Sequence, residues 1–158
     1  MSLQRLFNME FRRATALDAP QIARIEELVF PDPWSERDIT DLISTEGAMC
    51  FVATDGGRVA AYVTGRLIAP EGEIYRVAVL PEYRRRGIGY RLLDYSMKTS
   101  RGRGLETTFL EVRSQNVAAR ALYMAYGFRQ IGVRKNYYKN PTDDAIVMLR
   151  ASAADTMI

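Results

Sequence analysis

The sequence predicts an α/β fold, one mixed β-sheet with helices on both faces. Three observations predict it. In the second half of the chain, strand-like and helix-like periodicities alternate, and such strand-helix-strand units pair their strands in parallel. The first half carries a hairpin signal instead, Asp55-Gly56-Gly57 between two apolar runs, which pairs strands antiparallel. The length of 158 residues, with 47% apolar and 26% charged residues, suits one domain around one core.

The elements follow in order. Met9 to Thr15 reads as a first strand. A helix starts next: Asp18 can cap it, Pro20 sits in the first turn and Gln21 completes a box-like spacing. Ile22, Ile25, Leu28 and Val29 continue it at helical spacing. Phe30-Pro31-Asp32-Pro33-Trp34 breaks that helix, because proline disfavours helix on either side of itself. Ser35 with Asp38 opens a second helix to about Thr45. Strands are expected at 48–54, 58–68 and 72–80, with Pro81 ending the third. Gly87 to Arg101 is a helix with Ile88, Leu92, Leu93 and Met97 apolar, stopped by Gly102 and Gly104. A strand at 105–112, a helix at 116–126 closed by Gly127, and strands at 128–135 and 145–150 complete the chain. The domain is expected to span 8–150, with 1–7 and 151–158 as flexible termini.

Composition excludes several chemistries. There is no histidine, which removes the Ser-His-Asp triad, the Cys-His dyad and every histidine-bearing zinc site. Cys50 is the only cysteine, so neither an intramolecular disulfide nor a cysteine-ligated metal cluster can form. Cys50 reads as a small buried hydrophobe. No metal is expected. No apolar run is long enough to span a bilayer, and the first residues are too polar for a signal peptide, so a cytoplasmic protein is expected.

The net charge is +3, but residues 76–103 alone carry +6. A concentrated basic patch suggests an anionic partner such as a phosphate or nucleotide. Its centre is Arg84-Arg85-Arg86-Gly87-Ile88-Gly89-Tyr90, a loop between a strand and a helix. Two glycines let the main chain approach a ligand without Cβ obstruction. The first amides of the helix lack internal partners and, with the helix dipole, suit a pyrophosphate. Arginines add charge-assisted bonds. Neither G-x-G-x-x-G nor G-x-x-x-x-G-K-[ST] is present, so neither dinucleotide-binding nor P-loop chemistry is supported.

Arg84-x-x-Gly87-x-Gly89 after a strand resembles the R/Q-x-x-G-x-G/A signature of the GNAT superfamily of acetyl-coenzyme A-dependent N-acetyltransferases. The resemblance covers roughly 10–150. Within the superfamily it is closer to the RimI-like ribosomal-protein alanine N-acetyltransferases. Four stretches carry it: 30–35, Val77-Ala78-Val79 with the glycine loop, 110–123 with Gly127-Phe128, and Arg134 to Tyr138 followed by Asp144-Ala145-Ile146. The chain departs from the pattern in an extra Asp-Pro between Phe30-Pro31 and Trp34, in a loop similar to the family's acceptor-side loop.

The resemblance implies the GNAT acyl-CoA fold and acetyl-CoA as co-substrate. It implies that amides of Arg85 to Tyr90 hold the pyrophosphate, and that Val77, Ala78 and Val79 pair their main chain with the pantetheine arm. Asn116 would bind a pantetheine amide. Glu111 would be the general base for the acceptor amine, directly or through water. Alternation sets Phe109, Glu111 and Arg113 on one face of their strand, and partial desolvation suits a carboxylate to that task. The alternative for Glu111 is an exposed carboxylate paired with Arg113, and Glu73 is the next candidate base. Tyr123 would be the general acid for the departing thiolate, since a phenol stays protonated at neutral pH; the alternative is a core aromatic. Trp34, Tyr137 and Tyr138 would wall the acceptor.

The expected activity is direct acetyl transfer to a protein N-terminal α-amine, most specifically the N-terminal alanine of a small-subunit ribosomal protein. A lysine side chain or small-molecule amine is the alternative acceptor within the same superfamily. A basic nucleic-acid-binding module is the alternative from another class. Against it, the basic patch sits on a strand-loop-helix turn, and no interleaved exposed aromatics are expected there. A catalytically silent binding scaffold is disfavoured by the presence of Glu111, Asn116 and Tyr123.

Overall fold

The computed structural model describes residues 9–152. A seven-stranded sheet has the order β1-β2-β3-β4-β5-β7-β6. Its strands are β1 Glu10–Arg13, β2 Phe51–Asp55, β3 Arg58–Ile68, β4 Glu71–Val79, β5 Thr107–Arg113, β6 Arg129–Tyr138 and β7 Asp143–Ala151. The helices are α1 Ala19–Val29, α2 Glu36–Ser44, α3 Ile88–Arg101 and α4 Val117–Ala125. The sequence of strands and helices is the expected one.

The pairing differs from expectation in one place. Only β4 and β5, joined through α3, pair in parallel. β5 and β6, joined through α4, are separated by β7, which is antiparallel to both. The cause lies in the side chains. β7 is buried along most of its length, with Ala145, Ile146 and Met148 in the interior as suits an inner strand, whereas β6 is exposed along nearly its whole length. Arg129, Arg134 and Lys135 on β6 discourage another chain from adding to that edge.

Helix starts follow local chemistry. Ser35 caps α2 with its hydroxyl accepting from the Asp38 amide at 3.1 Å, and Asp38 returns a bond to the Ser35 amide. Asp18 is the N-cap residue of α1, as expected, but its side chain makes no capping bond to that helix. A short 3-10 turn, Ala16–Asp18, precedes that helix and takes Asp18 as its own. Its carboxylate accepts from the Thr15 amide at 2.7 Å and from Arg12 at 2.8 Å. Gln21 makes no box; its side-chain Oε1 accepts from the Val59 amide of β3 at 2.9 Å and ties α1 to the sheet.

Strand ends also shift. Ala48 makes only an isolated bridge to Arg66, so β2 starts later than expected. Ala151 closes β7, and Ser152 is buried with its amide donating to the Glu106 carbonyl, so the flexible tail does not begin at 151. The expectations for 1–8 and 153–158 lie outside the described residues.

Two features of the sheet position the site. At β4 the register with β3 slips between Thr64 and Gly65, so Tyr75 is an extra residue. This bulge sends Ile74 and Arg76 to opposite faces. The second feature is a parting. β4 and β5 pair only across Glu71–Ile74 and Thr107–Leu110. β4 continues to Val79 beside β3, and β5 continues to Arg113 beside β7. Beyond Ile74 and Leu110 the sheet is open as a wedge. α1 packs on the face to which Tyr62 points. On the opposite face, Gly89 of α3 lies against Val79.

Candidate active site

On the α3 side, the end of β4 turns into the glycine loop. Gly87 precedes α3 with φ +73, a left-handed conformation that costs a side-chain-bearing residue more than glycine. A Cβ there would meet nothing within 4 Å, so Gly87 faces open space and its requirement is conformational. Gly89 is the reverse case. Its Cβ would come within 3.3 Å of Val79 and 3.5 Å of Leu122, so its requirement is close packing. No acidic residue stands in the first turn of α3, and no side chain caps it. The amides of Ile88, Gly89 and Tyr90 therefore have no helical acceptor and present partial positive charge to the mouth of the wedge.

The predicted residues of this side do different things. Ile88 is buried in the core, so only its main chain can serve a ligand. Arg84 turns back and donates to the Val79 carbonyl at 3.1 Å, holding the loop against the strand end. Arg85 has φ 63 and shapes the turn, and Arg86 is half-buried beside it. The Tyr90 ring meets Tyr126 edge-on at 5.3 Å, and with Tyr95 it is exposed, so the basic segment does carry exposed aromatics, contrary to expectation. Val77 and Ala78 are buried and Val79 is half-buried. Their main chain is paired with β3 on one side and has no β5 partner on the other.

Asn116 caps α4, its carbonyl oxygen accepting from the Ala119 amide at 3.2 Å. Tyr123, two turns on, is 3% exposed and meets Phe128 edge-on at 5.7 Å. It is thus a core aromatic, and it also borders the wedge, because the Val77 amide acts on its oxygen. Burial raises the Tyr123 hydroxyl well above the ordinary tyrosine range, with the Tyr138 phenol adding to the rise and the Val77 amide opposing it. Tyr123 is a proton donor at any ordinary pH.

The opposite face of the wedge opens on a cavity of about 470 Å³ lined by Glu73, Tyr75, Phe109, Glu111 and Arg134 among others. Phe109 and Glu111 share this face, as alternation predicts. Glu111 does not pair with Arg113; Arg134 of β6 donates to it at 2.8 Å. Arg113 points to the β6–β7 loop, donating to the carbonyls of Pro141 at 2.8 Å and Lys139 at 3.2 Å, with its guanidinium over the Tyr138 ring. Tyr137 is exposed, and its hydrogen bond to Glu111 raises its hydroxyl pKa. Desolvation, then the charge of Glu111, pushes the Tyr138 hydroxyl up to about 12. Desolvation raises the Glu73 carboxyl, and the charge of Glu111 adds to it. Cys50 takes no part: it is buried, and desolvation pushes its thiol up to about 11.

Trp34 belongs to a network the sequence reading missed. Glu26 is 1% exposed. It accepts from Arg76 at 2.6 Å, from the Trp34 amide at 3.0 Å and from the Tyr62 hydroxyl. Arg76 also stacks over Phe30 and Trp34, with its guanidinium 4.2 and 5.0 Å from the ring centroids. A signal was present. Glu26 lies four residues after Ile22 on the apolar stripe of α1, where an unpaired carboxylate would cost several kcal/mol.

Comparison with known proteins agrees with this geometry. The family model described as the Acetyltransferase (GNAT) family matches residues 19–128. The [ribosomal protein bS18]-alanine N-acetyltransferase of Escherichia coli strain K12 is 36% identical over 135 residues, covering 83% of this chain and 89% of that protein. The N-alpha-acetyltransferase RimI of Mycobacterium tuberculosis is 35% identical over 144 residues, covering 87% and 89%. The crystal structure of the Escherichia coli ribosomal-protein-S18-alanine N-acetyltransferase superposes with a TM-score of 0.83 at 32% identity, covering 90% of this chain and 93% of that one. A likeness of this extent, in a chain whose own geometry divides one site between two faces of a sheet, places it in the GNAT family: it is an acetyl-CoA-dependent N-acetyltransferase.

Proposed function

We propose that this N-acetyltransferase acts on a protein N-terminal α-amine, and most specifically on the N-terminal alanine of a small-subunit ribosomal protein. The relative from Escherichia coli is named for that reaction on bS18. One observation carries the reading. A proton acceptor and a proton donor, Glu111 and Tyr123, border the same wedge from opposite faces. An amine and a departing thiolate need that division, because one must lose a proton and the other gain one.

The residues on the α3 side suit acetyl-CoA. The open-faced turn at Gly87 and the first amides of α3 fit a pyrophosphate. The edge of Val77–Val79 that has no strand partner fits an amide-bearing arm, and the side-chain amide of Asn116 would add one contact to it. When bound, acetyl-CoA supplies an activated acyl group as a thioester.

The chain's own residues do the rest. Glu111 takes the proton of the acceptor amine, directly or through one water, and Arg134 keeps its carboxylate oriented. Main-chain N–H groups near Val79 polarise the carbonyl that is attacked. Tyr123 gives its proton to the leaving sulfur. Trp34, Tyr137 and Tyr138 wall the acceptor. No covalent enzyme intermediate is needed, and a ribosomal acceptor implies work in the cytoplasm.

The test is an acetylation screen with three peptides: one with N-terminal alanine, one with N-terminal serine, and one N-terminally blocked with an internal lysine. The alanine peptide is expected to react fastest. Reaction of the blocked lysine peptide alone overturns the proposal.

A further inference from the structure

The extra Asp-Pro of the Phe30–Trp34 loop has a place in the molecule. Asp32 reaches both strands that flank the wedge. Its carboxylate lies 3.1 Å from Arg76 of β4 and 4.0 Å from Arg113 of β5, and its carbonyl accepts from Arg76 at 3.1 Å. Among the described residues, no other acidic side chain forms an ion pair with both arginines. Both guanidinium groups are nearly buried and each anchors a different wall. Arg76 holds Phe30 and Trp34, and Arg113 holds the β6–β7 loop through Lys139, Pro141 and Tyr138. Two cations on diverging strands repel, and Asp32 offsets that repulsion at the mouth of the wedge. Pro31 and Pro33 flank it and restrict its main chain, so little conformational freedom is lost in presenting the carboxylate.

We propose that Asp32 is a positioning residue for the acceptor, joining Arg76 to Arg113 across the wedge and thereby fixing the separation of the Phe30–Trp34 loop and the β6–β7 loop around the incoming N-terminus. This rests on the assignment of that face as the acceptor side. Asp32 contacts Arg76 and Arg113 rather than the glycine loop, Glu111 or Tyr123, so its effect is expected on acceptor binding. Interactions that hold the acceptor equally before and at the transition state alter KM and leave kcat in place.

Trp34 is the only tryptophan of the chain, so its fluorescence reports this loop directly. The full-length protein is compared with Asp32→Asn and Asp32→Glu. In Asp32→Asn, KM for an alanine-terminated peptide is expected to rise about fivefold or more, with kcat and the acetyl-CoA KM within about twofold. Acrylamide quenching of Trp34 is expected to increase in the same variant, and Asp32→Glu to restore part of both properties.

Unchanged peptide KM overturns the proposal, as does unchanged quenching or an equal rise in the acetyl-CoA KM. If the unsubstituted protein acetylates only the lysine peptide, the reading of the acceptor fails separately. The same KM and quenching comparison is then made with that peptide and decides the role of Asp32 by the same outcomes.

Discussion

Tyr123 is packed like a core residue while its oxygen borders the wedge, and this separates its hydroxyl from its ring. Removing only the oxygen keeps the packing against Phe128. Tyr123→Phe is therefore expected to lower kcat by roughly 10²-fold or more with little loss of stability, measured by steady-state rates and thermal unfolding. An unchanged rate would leave Tyr123 as packing alone. For Glu111 the informative observable is the acidic limb of the pH–rate profile. Glu111→Gln is expected to flatten it. Glu73 is the rival, and the sign of its response differs. Its carboxyl is raised by desolvation and then by the Glu111 charge. Were Glu73 the base, Glu111→Gln would keep the limb and move it to lower pH, because the repelling charge would be gone.

At the scale of elements, the donor side depends on a strand, a turn and a helix in succession. Gly87→Glu would add a negative charge and a Cβ at the amide-bearing end of α3, where φ is +73. Calorimetric titration is expected to show micromolar acetyl-CoA binding that survives higher salt in the unsubstituted protein, and loss of that binding in the variant. Most of this unit was legible in the sequence, because it is contiguous: Pro81 ends the strand, Gly87 permits the turn and Ile88, Leu92, Leu93 and Met97 mark the helix. The alternation of Phe109, Glu111 and Arg113 against Leu110 and Val112 was legible for the same reason. The partner of Glu111 was not. Arg134 comes from β6, two strands away, and only the insertion of β7 between β5 and β6 sets that spacing. Asp18 holds the expected N-cap position, but its carboxylate serves the 3-10 turn before α1, whose capping box starts at Thr15. The Asp32 bridge was out of reach too. It needs a loop, the end of β5 and the bulge that turns Arg76 onto the Glu26 face.

For the whole molecule, the two faces of the wedge predict the kinetic order. In the proposed assignment donor and acceptor enter from separate faces, and Cys50 is buried with a thiol that stays protonated near neutral pH. Both substrates must be present together. Initial rates measured against both concentrations are expected to give intersecting double-reciprocal lines; parallel lines would indicate a covalent enzyme intermediate instead.

The parting of β4 from β5 after only four paired residues each also bears on how such a protein can change. The donor chemistry proposed above lies on one side of the opening, in main-chain groups and glycines that few substitutions can imitate. The acceptor contacts proposed above lie on the other side, in side chains such as Asp32 and Trp34 of a loop and Tyr137 near the end of β6. A lineage could therefore exchange its clientele by editing a few loop residues while its currency, the acyl donor, stays fixed. A tear in the sheet separates what can drift from what cannot.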